Sequence, residues 1–184
     1  VRNEAVKVLK AGGVIGLPTD TLYGIAAMPD NEAAVRRLYE LKGRPDDKPI
    51  ALLVASSAQA MDLVEVSEQA RQLGSEHWPG PLTLVLRIAA DLAPWVGDRR
   101  RTVGVRVPDH KLALDVLQRS GPLAVTSANL AGEPPALDDK SARDIFGESV
   151  DLYLPGTSPG GVGSTVVDMT GPEPVVLRLG PIRI

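Results

Sequence analysis

The sequence predicts an α/β fold, a mixed β-sheet with helices packed on it, and three observations carry that reading. Along most of the chain short apolar runs alternate with stretches of helical periodicity, the pattern of strands and helices laid down in turn. The closing apolar runs, at 150–154, 164–169 and 174–179, have no helical stretch between them, so the sheet cannot be purely parallel. Hydrophobic residues make up 43% of the chain but aromatics only 3%, so the core must rest on Val, Leu, Ile and Ala. A chain of 184 residues is long enough for one full domain and cramped for two, and no Pro/Gly-rich stretch is long enough to be a linker. A single domain over 1–184 is expected.

The elements follow in order. Asn3 to Ala11 reads as a helix with Ala5, Val8 and Leu9 on one side, stopped by Gly12-Gly13. "GVIGLP" (13–18) is a buried strand that ends in the polar stretch "PTDTLYGIAA" (18–27). Asn31 caps a second helix, whose apolar side is Ala34, Val35, Leu38 and Leu41. "LKGRPDDKP" is a loop by its Gly, Pro and Asp content. Ile50 to Val54 is a strand, followed by short helices around 58–64 and 68–74. "PLTLVLRI" and "TVGVRVP" are strands, and Lys111 to Arg119 is a helix with Leu112 and Val116 inward. "PLAVTSAN" is a strand with a polar exit, Lys140 to Phe146 a helix after Asp138 and Asp139, and the three closing runs are strands.

Composition narrows the function classes. A net charge of −3 argues against binding nucleic acid by positive charge alone, although a local basic groove is compatible with it. With no cysteine, disulfides, thiolate zinc sites and a cysteine nucleophile are excluded. No apolar run approaches the roughly 20 residues of a membrane span, so no membrane association is expected. The cytoplasm is the default location, and the start at Val1 reads as a trimmed or processed chain.

Several motifs carry chemistry, each beside a plainer reading. "GGVGST" (160–165) lacks the lysine of a P-loop, so it reads as a glycine-rich turn before a strand. His77 and His110 have no partner at metal spacing and read as surface or structural; Trp78 and Trp95 read as packing residues. Lys42, Arg44 and Lys48 fall in one loop stiffened by Gly43, Pro45 and Pro49. They are either ordinary solvated charge, partly balanced by Asp46 and Asp47, or a clamp for a polyphosphate. In "VGVRVPDH" the period of two sends Val103, Val105 and Val107 to one face and Arg106 with Gly104 to the other. Thr19, Asp20, Thr21 and Tyr23 follow one strand, Thr126, Ser127 and Asn129 end another, and Arg178 marks a third. Strand ends of an open α/β sheet are where ligands bind. Hydroxyls with an arginine suit a small zwitterion such as an amino acid, and the cationic loop suits a nucleotide's phosphates. No histidine or paired carboxylate stands out as a general base, so the site would act by positioning and electrostatics.

Seven blocks in order, "GGVIGLPTDTLYGIAA", "LYELKGRPDDKPIALLV", "WPGPLTLVL", "VGVRVPDH", "GPLAVTSANLAGEPP", "GSTVVD" and "LRLGPI", make the chain resemble the YrdC/Sua5 threonylcarbamoyl-adenylate synthases. The resemblance implies a twisted mixed sheet with flanking helices around a concave groove. It implies formation of threonylcarbamoyl-AMP and pyrophosphate from L-threonine, bicarbonate and ATP, for N6-threonylcarbamoylation of tRNA adenosine 37. By the matching blocks it implies that Thr21, Arg106, Thr126 and Ser164 hold threonine. Arg44, Lys48, Thr102, Ala128 and Arg178 would contact ATP, with Ala128 acting only through its backbone. Lys42 and Arg44 would act on the reacting phosphates, and Mg2+ would arrive with the nucleotide. Implied partners are the downstream threonylcarbamoyl-transfer proteins and weakly bound tRNA. The chain stops at Ile184 and is similar to the short YrdC form, without the extra C-terminal domain of Sua5; Ala131 stands where the family often has serine.

Two other functions compete. A non-catalytic RNA-binding module, for tRNA or double-stranded RNA, would use the groove's cations, against which the net charge and scarce aromatics count. A carbamoyl-transferring relative, like the YrdC-like domain of hydrogenase maturation proteins, would be accompanied by cysteine-rich zinc modules, and this chain has no cysteine.

Overall fold

The computed structural model describes residues 1–43, 50–89 and 91–184. Its helices are α1 (Arg2–Lys10), α2 (Glu32–Lys42), α3 (Ser57–Met61), α4 (Glu68–His77), α5 (Lys111–Ser120) and α6 (Asp139–Phe146). Its strands are β1 (Ile15–Leu17), β2 (Gly24–Ala27), β3 (Ala51–Leu53), β4 (Leu82–Arg87), β5 (Thr102–Arg106), β6 (Leu123–Ser127), β7 (Leu152–Tyr153), β8 (Thr165–Asp168) and β9 (Val175–Arg178). These strands form one sheet in the order β7-β1-β2-β6-β3-β5-β4-β8-β9. The pairs β1/β7, β3/β5 and β4/β8 are parallel and the others antiparallel, which makes the sheet mixed, as expected.

Local chemistry explains several helix ends. Asn31 accepts from the Ala34 N–H at 3.0 Å and starts α2, and Ser56, Ser67 and Asp138 do the same for α3, α4 and α6. At α6 the exchange is reciprocal, because the Ser141 side chain returns a bond to the Asp138 backbone. Gly43 ends α2 at φ 62°, a left-handed conformation that glycine adopts without a Cβ clash.

The two faces of the sheet are covered unequally. On one face Val103 and Val105 of β5, Leu82, Leu84 and Leu86 of β4, and Leu52 of β3 join a large buried cluster with residues of α2, α4 and α6. On the other, Ile15, Leu17, Ala26, Leu53 and Leu123 pack against Ala5 and Leu9 of α1 and Ala113, Val116 and Leu117 of α5. These two helices shield the β1-β2-β6 side of that face and the Leu53 end of β3. Over β3, β5, β4 and β8 the sheet is left open, and this uncovered half is the floor of a cleft. Strand alternation then decides what faces it: Thr102, Gly104 and Arg106 from β5, Thr83 and Val85 from β4, Val166 from β8.

The polar stretch after the first strand contains a further element: Gly24–Ala27 is a strand that pairs with both β1 and β6. On α5 the inward residues are Ala113, Val116 and Leu117, while Leu112 is half-buried at the edge of that cluster. Ala113 is fully buried in the cluster that joins α5 to α1.

Candidate active site

The cleft encloses about 410 Å³, and six of the residues expected at a site line it: Thr21, Thr102, Arg106, Thr126, Ser164 and Arg178. They come from chain segments up to 157 residues apart (178 minus 21), brought together by the order of the strands.

The deep end is built on Arg106, which is 6% exposed. Its Nε donates to the Gly80 carbonyl at 3.0 Å, its Nη1 to Thr21 Oγ1 at 3.0 Å, and its Nη2 to Asp20 Oδ1. Burial draws its pKa down from the ordinary arginine value and Asp20 opposes that, so the group stays charged at any working pH. A guanidinium has five N–H donors. Three are used, so Nη1 and Nη2 each keep one N–H without a partner among the described residues. A fixed, charged pair of donors on a cleft wall is a receptor for a carboxylate.

The turn carrying Thr21 is itself fixed. The Thr19 N–H donates to Ser158 Oγ at 3.1 Å, Thr19 Oγ1 donates to the Leu22 carbonyl at 2.7 Å, and the Gly160 N–H donates to the Thr21 carbonyl at 2.8 Å. Across the cleft Ser164 Oγ lies 2.7 Å from Thr83 Oγ1 and accepts from Arg178 Nη2 at 3.1 Å, while Arg178 Nε donates to the Ser164 carbonyl at 3.0 Å. Arg178 lies across Gly163, where a Cβ would come within 2.9 Å of Nη2; a side chain at that position would lift the guanidinium off. The "GGVGST" turn is thus no phosphate loop but a bed for an arginine.

The other end is more open. Asp98 Oδ1 accepts from the Arg100 and Thr102 N–H groups at 3.0 and 2.9 Å, and Oδ2 from Arg100 Nε at 3.2 Å. Burial raises the Asp98 pKa, but these donors outweigh it and leave the carboxyl below its ordinary range. Arg100 is 64% exposed at its side chain and reaches within 3.9 Å of Asp168. Along β5 the two ends lie four residues apart, roughly 13 Å at strand rise.

Other expected residues sit elsewhere. Arg44 and Lys48 lie outside the described residues. Lys42 is buried and does not line the cleft; its Nζ donates to the Ser127 carbonyl at 2.8 Å and to Asn129 Oδ1 at 2.7 Å, so it braces the exit of β6 from behind. Ala128 is buried and does not line the cleft. Its N–H is committed to the Tyr23 carbonyl and its carbonyl to the Ala136 N–H, both at 2.8 Å, which leaves one carbonyl lone pair for any ligand. Tyr23, displayed in the sequence beside the hydroxyls, is fully buried and donates to the Leu154 carbonyl at 2.7 Å. His110 starts α5, with Nδ1 accepting weakly from the Ala113 N–H at 3.4 Å. His77 is 3.8 Å from Glu76, while the Trp78 and Trp95 indoles donate to the carbonyls of Leu82 and Pro29. Sequence reasoning missed Thr83, Asp98 and Arg100 on the wall. Thr83 carried a signal in its alternation with Leu82 and Leu84, whereas Asp98 and Arg100 stand in a run of four charges, 98–101, with nothing local to set them apart.

Comparison with known proteins places the chain in a family. The family model of Sua5, YciO and YrdC proteins, described as "Telomere recombination", matches residues 7–180. A relative from Mycobacterium tuberculosis (strain ATCC 25618 / H37Rv) is 43% identical over 181 residues, 97% of this chain and 83% of its own length. Threonylcarbamoyl-AMP synthase of Bacillus subtilis (strain 168) is 40% identical over 183 residues, 97% of this chain and 53% of its own. The crystal structure of Pyrococcus abyssi Sua5 complexed with L-threonine superimposes with a TM-score of 0.91 at 36% identity, over 96% of this chain and 53% of that one. The chain thus spans about half the length of these last two proteins. With nearly all of its length matched in sequence and in fold, the chain belongs to the Sua5/YciO/YrdC family.

Proposed function

We propose that the chain is a threonylcarbamoyl-AMP synthase, converting L-threonine, bicarbonate and ATP into threonylcarbamoyl-AMP, pyrophosphate and water. One observation carries the reading: a buried guanidinium with two donors to spare in a cleft that the Thr21 and Ser164 hydroxyls also line. Arg106 would hold the substrate carboxylate, and Thr21, Thr126 and Ser164 its ammonium and hydroxyl. The nucleotide would lie towards Thr102, with Arg178 and the loop cations Arg44 and Lys48 on its phosphates. Lys42 would act through the β6 exit it braces. Mg2+ would enter as the MgATP chelate with the phosphates as its ligands; among the described residues no cluster of three or more His, Asp or Glu side chains could hold it alone.

In the proposed reaction the threonine amine takes its carboxyl group from bicarbonate with loss of water. A carbamate oxygen then attacks the α-phosphorus of ATP, and pyrophosphate leaves. Adjacent fixed subsites favour this order because they convert encounters between separate molecules into one bound arrangement. The product is a reactive mixed anhydride, suited to consumption by proteins that modify tRNA adenosine 37. The decisive assay is pyrophosphate release from ATP, with release expected only when threonine and bicarbonate are both present. Equal release without threonine would end the reading. Salt-sensitive tRNA binding with no pyrophosphate release would favour an RNA-binding module instead.

A further inference from the structure

Asp20 does not line the cleft. It meets Arg106 from behind the wall, with 14% of its side chain exposed, and takes one Nη2 donor while Gly80 and Thr21 take two others. The two N–H groups left over are those free to meet a ligand. The surroundings make this pairing consequential. Arg178 is close enough for its charge to act unfavourably on Arg106, and both guanidinia belong to the same end of the cleft. Without Asp20, that end would carry two arginines and no acid paired to Arg106, an arrangement that grips divalent phosphate or sulfate.

We propose that Asp20 is a positioning and selectivity residue for the amino-acid subsite: it fixes the plane of Arg106 and cancels enough of its charge that the site takes a monovalent carboxylate and rejects polyanions. The inference rests on the synthase reading, in which a triphosphate and an amino acid must bind side by side without exchanging places. Asp20 assigns them, because a neutralised Arg106 leaves the polyphosphate better held elsewhere.

The test uses Asp20→Asn and Asp20→Ala, with threonine and inorganic sulfate each titrated calorimetrically in the absence of nucleotide, and with threonine and ATP kinetics by pyrophosphate release. The asparagine amide oxygen still accepts from Arg106, so D20N keeps the plane and loses the charge. Expected is a sulfate affinity about ten-fold tighter than wild type in D20N, with sulfate competing against threonine. D20A, which loses plane and charge together, should raise the threonine KM about ten-fold while the ATP KM stays within about two-fold. A side chain that served stability alone would change the melting temperature without strengthening sulfate binding. Sulfate affinity in D20N equal to wild type overturns the proposal, and so does an unchanged threonine KM in a folded D20A. Should D20A not fold, the isosteric D20N measurement decides alone. Wild-type enzyme that binds threonine but releases no pyrophosphate would count against the synthase reading and leave the calorimetric comparison intact.

Discussion

The two ends of the cleft are built on different principles. At the deep end Thr21, Thr83, Arg106 and Ser164 are all buried and bonded to one another or to the backbone. At the open end the cation, Arg100, is largely exposed and tied to an acid only two residues away. The first arrangement recognises a small ligand by groups already in place, at the cost of desolvating every one of them. The second suits a larger ligand that brings its own charge and tolerates adjustment. The difference teaches where selectivity should reside and where tolerance should.

Arg106→Ala gives the largest expected effect. Truncation removes the two N–H donors that would hold the carboxylate, at about 1.5–3 kcal/mol for each charge-assisted contact, so threonine kcat/KM should fall by roughly 10³. Threonine titration of pyrophosphate release measures this, and a loss under ten-fold would mean that the deep end does not hold the amino acid.

Arg44→Ala and Lys48→Ala should come next, each at roughly ten-fold to a hundred-fold in ATP kcat/KM, because each removes a charge-assisted phosphate contact of about 1.5–3 kcal/mol. Threonine binding without nucleotide should hardly change. Wild-type ATP kinetics in both would return that loop to ordinary surface.

Ser164→Ala sharpens the comparison. It leaves Thr83 and Arg178 each short of a partner and should cost threonine about 1–3 kcal/mol in kcat/KM while sparing valine, the isostere without a hydroxyl. The threonine-to-valine ratio should collapse towards one. A ratio equal to wild type would show that the substrate hydroxyl is read by another group.

The smallest effect concerns pH. Burial lowers the His110 pKa from its ordinary 6.5, and protonation would also remove the acceptor at the start of α5. The unfolded chain therefore binds this proton at a higher pH than the folded one. Stability should rise as pH increases towards 6.5 and fall below it, by well under the effect of the other changes. Melting temperatures of His110→Asn and wild type at pH 5.5 and 7.5 check the sign: the wild-type difference should shrink in the variant, whose side chain caps at either pH.

How much of this was legible follows from distance along the chain. The Asn31 cap and the alternation around Arg106 are local, so they could be read directly. Gly24–Ala27 could not: glycine and alanine have low β propensity, and that segment is a strand because β1 and β6 flank it. Asp20 stood in plain view among hydroxyls, but its partner is 86 residues away, and nothing local marks the pair. Lys42 was visible as a cation, but nothing local marks its acceptors, Ser127 at the end of β6 and Asn129 in the turn after it.

The alternation along β5 has a genetic consequence. Loss of a single codon between Thr102 and Arg106 would preserve the reading frame and most of the composition. It would nevertheless exchange the two faces of every residue beyond it, aiming the guanidinium into the Val/Leu cluster and a valine into the cleft. Point substitutions in this segment are graded injuries, whereas an insertion or deletion of one residue is all or nothing. Length variation among descendants of this gene should therefore gather in the connections between strands and be missing from β5.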